Sequence, residues 1–336
     1  MTTPSGQISL DDVNAELDIS AGTQINMGAT AVRALAEVPS GAIAMSNLQG
    51  KSNAQFITAS GGDSVTTCGN YKIHKFTGSG TFTVCSVGCA AGSNTVDYLV
   101  VAGGGGGGLW GDTGGGGAGG YRATGYGPSP LRGSALPVAA QDYPITIGGG
   151  GSGGPGNKQA GDDGSNSIFS TITSAGGGGG GGQNTVGKDG GSGGGGPGDE
   201  RTSHAGGSGN TPSTTPAQGT DGGDGAGIAG NFNTAGGGGG ATEAGVAGSG
   251  PSPLVDGRGG AGAPNTISGS DVSYAGGAGG TYAAKSPCGT GGGYAPSPLG
   301  GNVFNGATNT GGGGTGGHPT AGTGGSGIVI IRYLYQ

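Results

Sequence analysis

The chain has 336 residues, of which 95 are Gly and 17 Pro, against only 12 Lys+Arg and 19 Asp+Glu. With one third of the chain in the two residues that most resist helix and strand interiors, an ordinary enzyme domain is excluded for most of it, and such a composition usually goes with low complexity. The net charge of −7 carries no basic run, so nucleic acid and anionic membrane are not expected partners.

Residues 1–53 hold a degenerate repeat. Gln7-Ile8-Ser9-Leu10, Gln24-Ile25-Asn26-Met27 and Ala42-Ile43-Ala44-Met45 share an Ile-x-(Leu/Met) core at spacings of 17 and 18. A helix-compatible stretch follows each: Asp11 to Leu17, Gly28 to Ala36 and Ser46 to Leu48, with Asp11 and Ser46 as expected N-caps. Units this small cannot each bury a core, so they pack on one another or on a partner. The plain reading is a small α+β cap; the sharper one is an attachment module using Ile8, Leu10, Ile25, Met27, Ile43 and Met45. The opening residues lack the cationic and apolar segments of a signal peptide, and the longest apolar stretches, Tyr98 to Ala102 and Ile328 to Ile331, are too short to span a bilayer. The expectation is a chain neither signal-exported nor inserted in a membrane.

Residues 54–102 alternate as half-buried strands do. Ala54 to Ala59, Ser64 to Thr67, Tyr71 to Phe76 and Thr81 to Val84 are separated by Gly-rich turn signals and read as an antiparallel meander closed by Val96 to Val101. At the far end, Gly327 to Tyr335 is the strongest strand signal in the sequence. A β-branched run of that kind needs a buried slot, so 327–336 is expected to pair with 54–102 in one antiparallel β-domain, leaving 103–326 as an insertion. Tyr143 to Ile147 and Ser167 to Thr173 are expected to join the same sheet from within it.

The insertion holds 82 of the glycines. They form tracts at 103–108, 114–120, 148–154, 176–182, 190–196, 236–240, 276–280, 289–293 and 311–317, separated by polar loops at 121–147, 197–235, 241–275 and 294–310. No strict Gly-X-Y period runs through it, which excludes a collagen triple helix. Polyglycine packs no side chains as a helix or a strand, but extended left-handed helices with three residues per turn point every N–H and C=O outward. Side by side, such helices satisfy one another's backbone groups. The expected fold is therefore mainly β: a small antiparallel β-domain carrying an inserted polyglycine bundle of polyproline-II type, after the N-terminal module.

Several residue runs carry a family resemblance. Val96 to Ala102 leads into polyglycine, and Gly119-Gly120-Tyr121-Arg122, Tyr143 to Gly151, Asn166 to Phe169, Thr171 to Gly177 and Gly324 to Tyr333 follow. Together they resemble the glycine-rich domain of bacteriophage tail-fibre and receptor-binding proteins. Ser5 to Asp12 and Ser40 to Asn47 with Gly50-Lys51-Ser52 are similar to the short modules that open many tailed-phage structural proteins. The resemblance implies a virion protein of a tail fibre or tail tip, joined to other phage tail or fibre proteins through residues 1–53 and binding a host surface protein or glycan. In architecture it is similar to T-even-type distal fibre adhesins, which implies variable binding loops at the tip of a polyglycine bundle.

The remaining motifs weigh against chemistry. Gly50-Lys51-Ser52 lacks the Gly a phosphate loop needs five residues earlier, where Met45 stands. Asp221 and Asp224 are too isolated for calcium-binding nonapeptide repeats. His74, His204 and His318 have no nucleophile elbow or zinc-ligand partner, and the adjacent acids Asp162-Asp163 and Asp199-Glu200 point apart. Cys68, Cys85, Cys89 and Cys288 fit no zinc template, leaving free thiols or one disulfide among the first three. Neither an enzymatic activity, a metal nor a cofactor is expected. Pro-Ser-Pro-Leu recurs at 128–131, 251–254 and 296–299; paired prolines make stiff corners, so Pro128, Pro130, Leu131, Pro251, Pro253, Leu254, Pro296, Pro298 and Leu299 are expected to redirect the chain beside recognition loops. Candidate receptor contacts are the large aromatics that interrupt glycine: Trp110, Phe232, Tyr274, Tyr282, Tyr294 and Phe304. The alternatives are a structural or ice-binding glycine-rich protein and a disordered glycine-rich linker.

Overall fold

The computed structural model describes residues 2–89, 92–156, 158–199, 202–227, 233–249, 257–280 and 303–336. At the N-terminus, α1 (Leu10–Glu16) and α2 (Thr30–Ala36) and a 3-10 turn (Met45–Leu48) follow the three repeats. Ser9 caps α1 in a capping box with Asp12, whose carboxylate accepts from the Ser9 N–H at 2.7 Å. The Asn47 side chain accepts from Ala44 N–H at 2.8 Å in the same way. Each element therefore starts earlier than an Asp11 or Ser46 cap would place it, because the side chain of Asp12 or Asn47 reaches back to satisfy a backbone N–H two residues before those positions. The Ile-x-(Leu/Met) segments join no sheet; Ile8, Ile25, Met27, Ile43 and Met45 instead pack against a core of Val13, Val32, Leu35 and Leu48. Thr3 N–H donates to Lys51 O and Gly50 N–H to Pro4 O, tying the two ends of this module together.

Fifteen short strands follow among the described residues: β1 (Thr58–Ser60), β2 (Ser64–Cys68), β3 (Tyr71–Phe76), β4 (Gly80–Ser86), β5 (Thr95–Val101), β6 (Tyr121–Ala123), β7 (Leu136–Pro137), β8 (Asp142–Thr146), β9 (Ser167–Phe169), β10 (Ile172–Ser174), β11 (Gly198–Asp199), β12 (Thr202–Ser203), β13 (Ala263–Asn265), β14 (Val272–Tyr274) and β15 (Ile328–Leu334). The fold is mainly β and antiparallel. Two sheets, β1-β4-β8-β9-β10 and β2-β3-β15-β5-β6, face each other. As the sequence pattern requires, β15 pairs with β5, from Ile328–Val101 to Arg332–Asp97, and on its other side with β3, from Val329–Phe76 to Leu334–Tyr71.

The single meander becomes a sandwich. After β3 the chain crosses at Gly78-Ser79-Gly80, so β4 pairs with β1 and β8 and not with β3. The strands from within the insertion, β8, β9 and β10, accordingly extend the sheet of β4, and 167–174 is a hairpin turned at Ser170, φ +54. The physical reason is core volume: Phe82, Tyr143, Ile145 and Phe169 on one sheet close over Phe76, Tyr98, Ile331 and Tyr333 on the other, which one open sheet could not do.

β15 reads as continuous β-branched sequence because it is buried on both faces. Val329, Ile331 and Tyr333 enter the sandwich core, while Ile328 and Ile330 meet Leu99, Val101, Ala118, Tyr121, Ile267 and Tyr274 on the other side. On that second face the Arg332 guanidinium sits between the rings of Tyr71 and Tyr126, 4.4 and 4.5 Å from their centroids. The β13–β14 hairpin docks there through Asn265, whose Nδ2 donates to Tyr121 Oη at 2.7 Å. Burial pushes the Tyr121 phenol up to about 12.

The glycine tracts form a hexagonal array. In tract 103–108, Gly103 and Gly106 donate to Ser165 and Asp162, Gly104 and Gly107 to Gly325 and Gly322, and Gly105 and Gly108 to Gly117 and Gly114, at 2.9–3.0 Å. Their carbonyls accept, again in steps of three, from Gly177 and Gly180, Gly151 and Gly154, and Gly314 and Gly317. Six residues thus address six neighbouring tracts, with every backbone donor and acceptor paired. Glycine is needed here for approach and not for φ. A Cβ on Gly105 would stand 2.2 Å from Gly178 O, and one on Gly104 2.1 Å from Gly312 O.

Regions 197–235 and 241–275 are not loops throughout, since 218–225 and 257–260 run as further members of the array. Their glycines recur at every third residue. Gly219, Gly222 and Gly225 would place a Cβ 2.1–2.2 Å from the carbonyls of Gly191, Gly194 and Pro197, whereas Asp221 and Asp224 between them are exposed. An enclosed tract is nearly pure Gly, with small exceptions such as the buried Ala118 and Ser192; one at the rim needs Gly only on its inward edge. Rim side chains replace the missing neighbour: Asp163 Oδ1 accepts from Gly179 N–H, Asp224 Oδ1 from Gly206 and Asp221 Oδ1 from Gly209, at 2.7–2.9 Å.

Candidate functional site

The array grows out of the sandwich, which defines its two ends. Tract 103–108 leaves β5 and 114–120 returns to β6; 148–154 leaves β8 and 160–165 returns to β9; 321–327 returns to β15. The connections 109–113, 318–320 and, in its described part, 158–159 therefore lie together at the end away from the sheets. They are also bonded to one another: Leu109 N–H donates to Gln159 O and Trp110 N–H to Gly317 O, both at 2.9 Å.

Trp110 is the largest side chain exposed at that end, at 40%. Its backbone is left-handed, φ +80, beside Gly111 at +72, and its indole meets the His318 ring edge-on with centroids 4.2 Å apart. A bulky residue in this region costs about 1–2 kcal/mol. Below it, Leu109 is buried and closes the end of the array. Gly198 N–H donates to Asp112 O, bringing the β11–β12 hairpin alongside. Burial raises the Asp112 carboxyl above its usual value, against a hydrogen bond from Asn233, and the neighbouring Asp199 charge raises it further. Gln183 Nε2 donates to Asp199 Oδ1 at 3.0 Å, and Val186 is exposed on the next turn. The surface combines an aromatic plate with amide and carboxylate groups, suited to non-covalent recognition.

The other candidates separate. Phe304 is half-buried, its N–H and C=O both bonded to Thr315. Tyr274 is a correction: at 3% exposure it lies in the core between β15 and the β13–β14 hairpin, near the sandwich. It falls at a tract edge in sequence, but that edge faces the sheet. Phe232, Tyr282 and Tyr294 lie outside the described residues, as do Pro251, Pro253, Leu254, Pro296, Pro298, Leu299 and Cys288. In the one described corner Pro128 is half-buried, Pro130 exposed and Leu131 packed against the core cluster that includes Tyr121, a corner against the sheet. Leu10 is 44% exposed on α1, unlike the five other repeat residues. Sequence reasoning missed His318, Gln159 and Asp112 because nothing local in the sequence says that three distant turns share one end.

Among the described residues no group of three or more His, Cys, Asp or Glu is placed to hold a metal, and no helix is long and apolar enough to cross a membrane. Cys68 and Cys85 are free thiols, and Cys89 Sγ accepts from Gln55 N–H at 3.2 Å. No curated protein matches the chain in sequence. Residues 76–334, from the end of β3 to the end of β15 and so including the whole array, match the model of the glycine-rich domain, and the chain belongs to that family.

Proposed function

We propose that this is a virion protein of a phage tail fibre or tail tip, an adhesin that presents the far end of the glycine array to a host surface protein or glycan. The observation that carries the reading is Trp110. In a chain with 95 glycines, a left-handed turn position that glycine would occupy without strain holds an exposed Trp, and a cost in stability retained at an exposed site points to use. The array supplies a rigid stalk whose interior admits only glycine and small side chains such as Ala118 and Ser192, so recognition is left to the residues at its end. Residues 1–53, a separate small core, would join the chain to other tail or fibre proteins, and its copies on one particle would bind multivalently. Binding is non-covalent and needs no cofactor. The test is whether purified protein lacking residues 1–53 binds the host bacteria and blocks infection by the parent particle. Cell binding that is unaffected by changes at Trp110 and its neighbours, or no binding at all, overturns the reading.

A further inference from the structure

Among the described residues the two sheets have five edge strands, counting β7, which pairs with β5 beside β6, and four are closed; β7 is two residues long and contains Pro137. Along β6, Tyr121 N–H donates to Gln218 O and Ala123 O accepts from Gly133 N–H. On β10, Thr173 O accepts from Arg122 Nη1 and Ser174 Oγ donates to Val100 O. β1 is three residues long and irregular between Thr58 and Ala59. These are the usual ways of keeping an edge from pairing with another chain.

β2, Ser64-Val65-Thr66-Thr67-Cys68, has none of them along its length. Its first four residues are exposed, Val65 by 48%, and it contains no charge, Pro or Gly. The two-residue Gly69-Asn70 turn makes Cys68 and Tyr71 a hydrogen-bonded pair, so by alternation Thr66–Ile73 and Ser64–Lys75 are bonded too. The Asp63 N–H, also donating to Lys75 O at 2.8 Å, marks a bulge just before the strand. The backbone groups of Val65 and Thr67 consequently point away from β3, toward open solvent.

We propose that β2 is the seam of a twofold homodimer, pairing antiparallel with β2 of a second copy about Thr66. Of the possible registers this one engages all four outward groups: Val65 and Thr67 of one copy exchange N–H···O bonds with Thr67 and Val65 of the other. Thr66 then faces its own counterpart at a non-hydrogen-bonded position, where β-branched pairs are favourable. No like charges oppose, because the strand has none, and Ser64 lies against Cys68. The second copy is favoured over a foreign strand because the segment is complementary to itself in this one register. The two six-stranded sheets join into one continuous sheet.

The test is sedimentation of the full chain over about 1–100 μM, with near-UV circular dichroism to verify the fold. The wild type is expected to reach a dimer, and Thr66→Cys to give, on mild oxidation, a disulfide between the two 66 positions, since non-hydrogen-bonded cross-strand pairs have the Cα separation a disulfide accepts. Thr67→Pro, which removes an outward N–H, and Thr66→Lys, which sets like charges on the twofold axis, are each expected to give a folded monomer. A wild type that stays monomeric throughout, including one that captures a strand of another protein, overturns the proposal. So does a dimer that survives both substitutions.

Discussion

His74 on β3 and Tyr333 on β15 meet inside the sandwich, the imidazole stacked on the phenol at 5.6 Å with Nε2 3.1 Å from Oη. The other ring nitrogen lies 2.7 Å from Gly61 O, and Phe82 packs edge-on at 5.2 Å. This pair joins a strand that precedes the glycine-rich insertion to the strand that follows it. Burial lowers the His74 pKa below 6.5, partly opposed by the Gly61 carbonyl and helped by the Lys72 charge.

The imidazole is therefore held neutral, and the unfolded chain takes up a proton at higher pH than the folded one. Its contribution to stability is complete above the unfolded value, near 6.5, and declines as pH falls through that value toward the depressed folded one. Urea denaturation between pH 7.5 and 5 should show falling stability in the wild type and a shallower slope in His74→Gln. Equal slopes would show that the ring is not the group responsible.

Within the array, Gly105→Ala puts a methyl 2.2 Å from a backbone carbonyl with backbone on every side. The expected loss is about 3 kcal/mol or more, or failure to fold. Asp162→Ala, at an exposed rim position, should stay within about 0.5 kcal/mol. Thermal denaturation of the two variants compares them directly.

Amide hydrogen exchange reads the same lattice from its donors. Residues 176–182 and 236–240 are bonded on several sides and should exchange as slowly as β5 and β15, because opening one tract breaks bonds to several others. Unprotected amides there would describe a flexible linker instead of an array.

At the far end, Trp110→Gly relieves a left-handed Trp and should leave stability unchanged or raise it by about 1 kcal/mol. Under the proposed function the same change reduces host-cell binding at least about tenfold, as for a recognition hot spot. Stability and binding moving in opposite directions separates a contact residue from a packing one.

Near the sheets, Asn265→Ala strands the buried Tyr121 hydroxyl, which now accepts from Asn265. The cost should be about 1–3 kcal/mol, with Tyr121→Phe in the same background recovering part of it. No recovery would mean that Asn265 acts through the hairpin backbone instead.

Much of this was legible from residues. Val96 to Val101 and Ile328 to Tyr333 announced their pairing because β-branched runs need a buried slot, and the pure glycine tracts announced an enclosed backbone. The second sheet was not legible: nothing in Thr81 to Val84 distinguishes a strand that continues a meander from one that crosses to a facing sheet, since alternation is the same in both. The rim of the array was hidden for a different reason. Gly219, Gly222 and Gly225 carry a three-residue period over one short segment, which in a chain this rich in glycine does not stand out until the neighbouring carbonyls are seen. Tyr274 misled because a tract has two ends, and only the fold says which one faces outward.

The way the array is hung on the sheet also fixes how it bears tension. β5 runs into the array and β15 runs out of it, side by side and attached at the same end, so a pull on the array away from the sandwich draws both strands in one direction and leaves the bonds between them unstressed. The strain passes instead to the seam between β15 and β3, six residue pairs long from Val329–Phe76 to Leu334–Tyr71, where the strands must slide past each other and all the bonds resist together. A stalk anchored through such a shear joint withstands a sudden tug far better than one that could be unzipped a bond at a time.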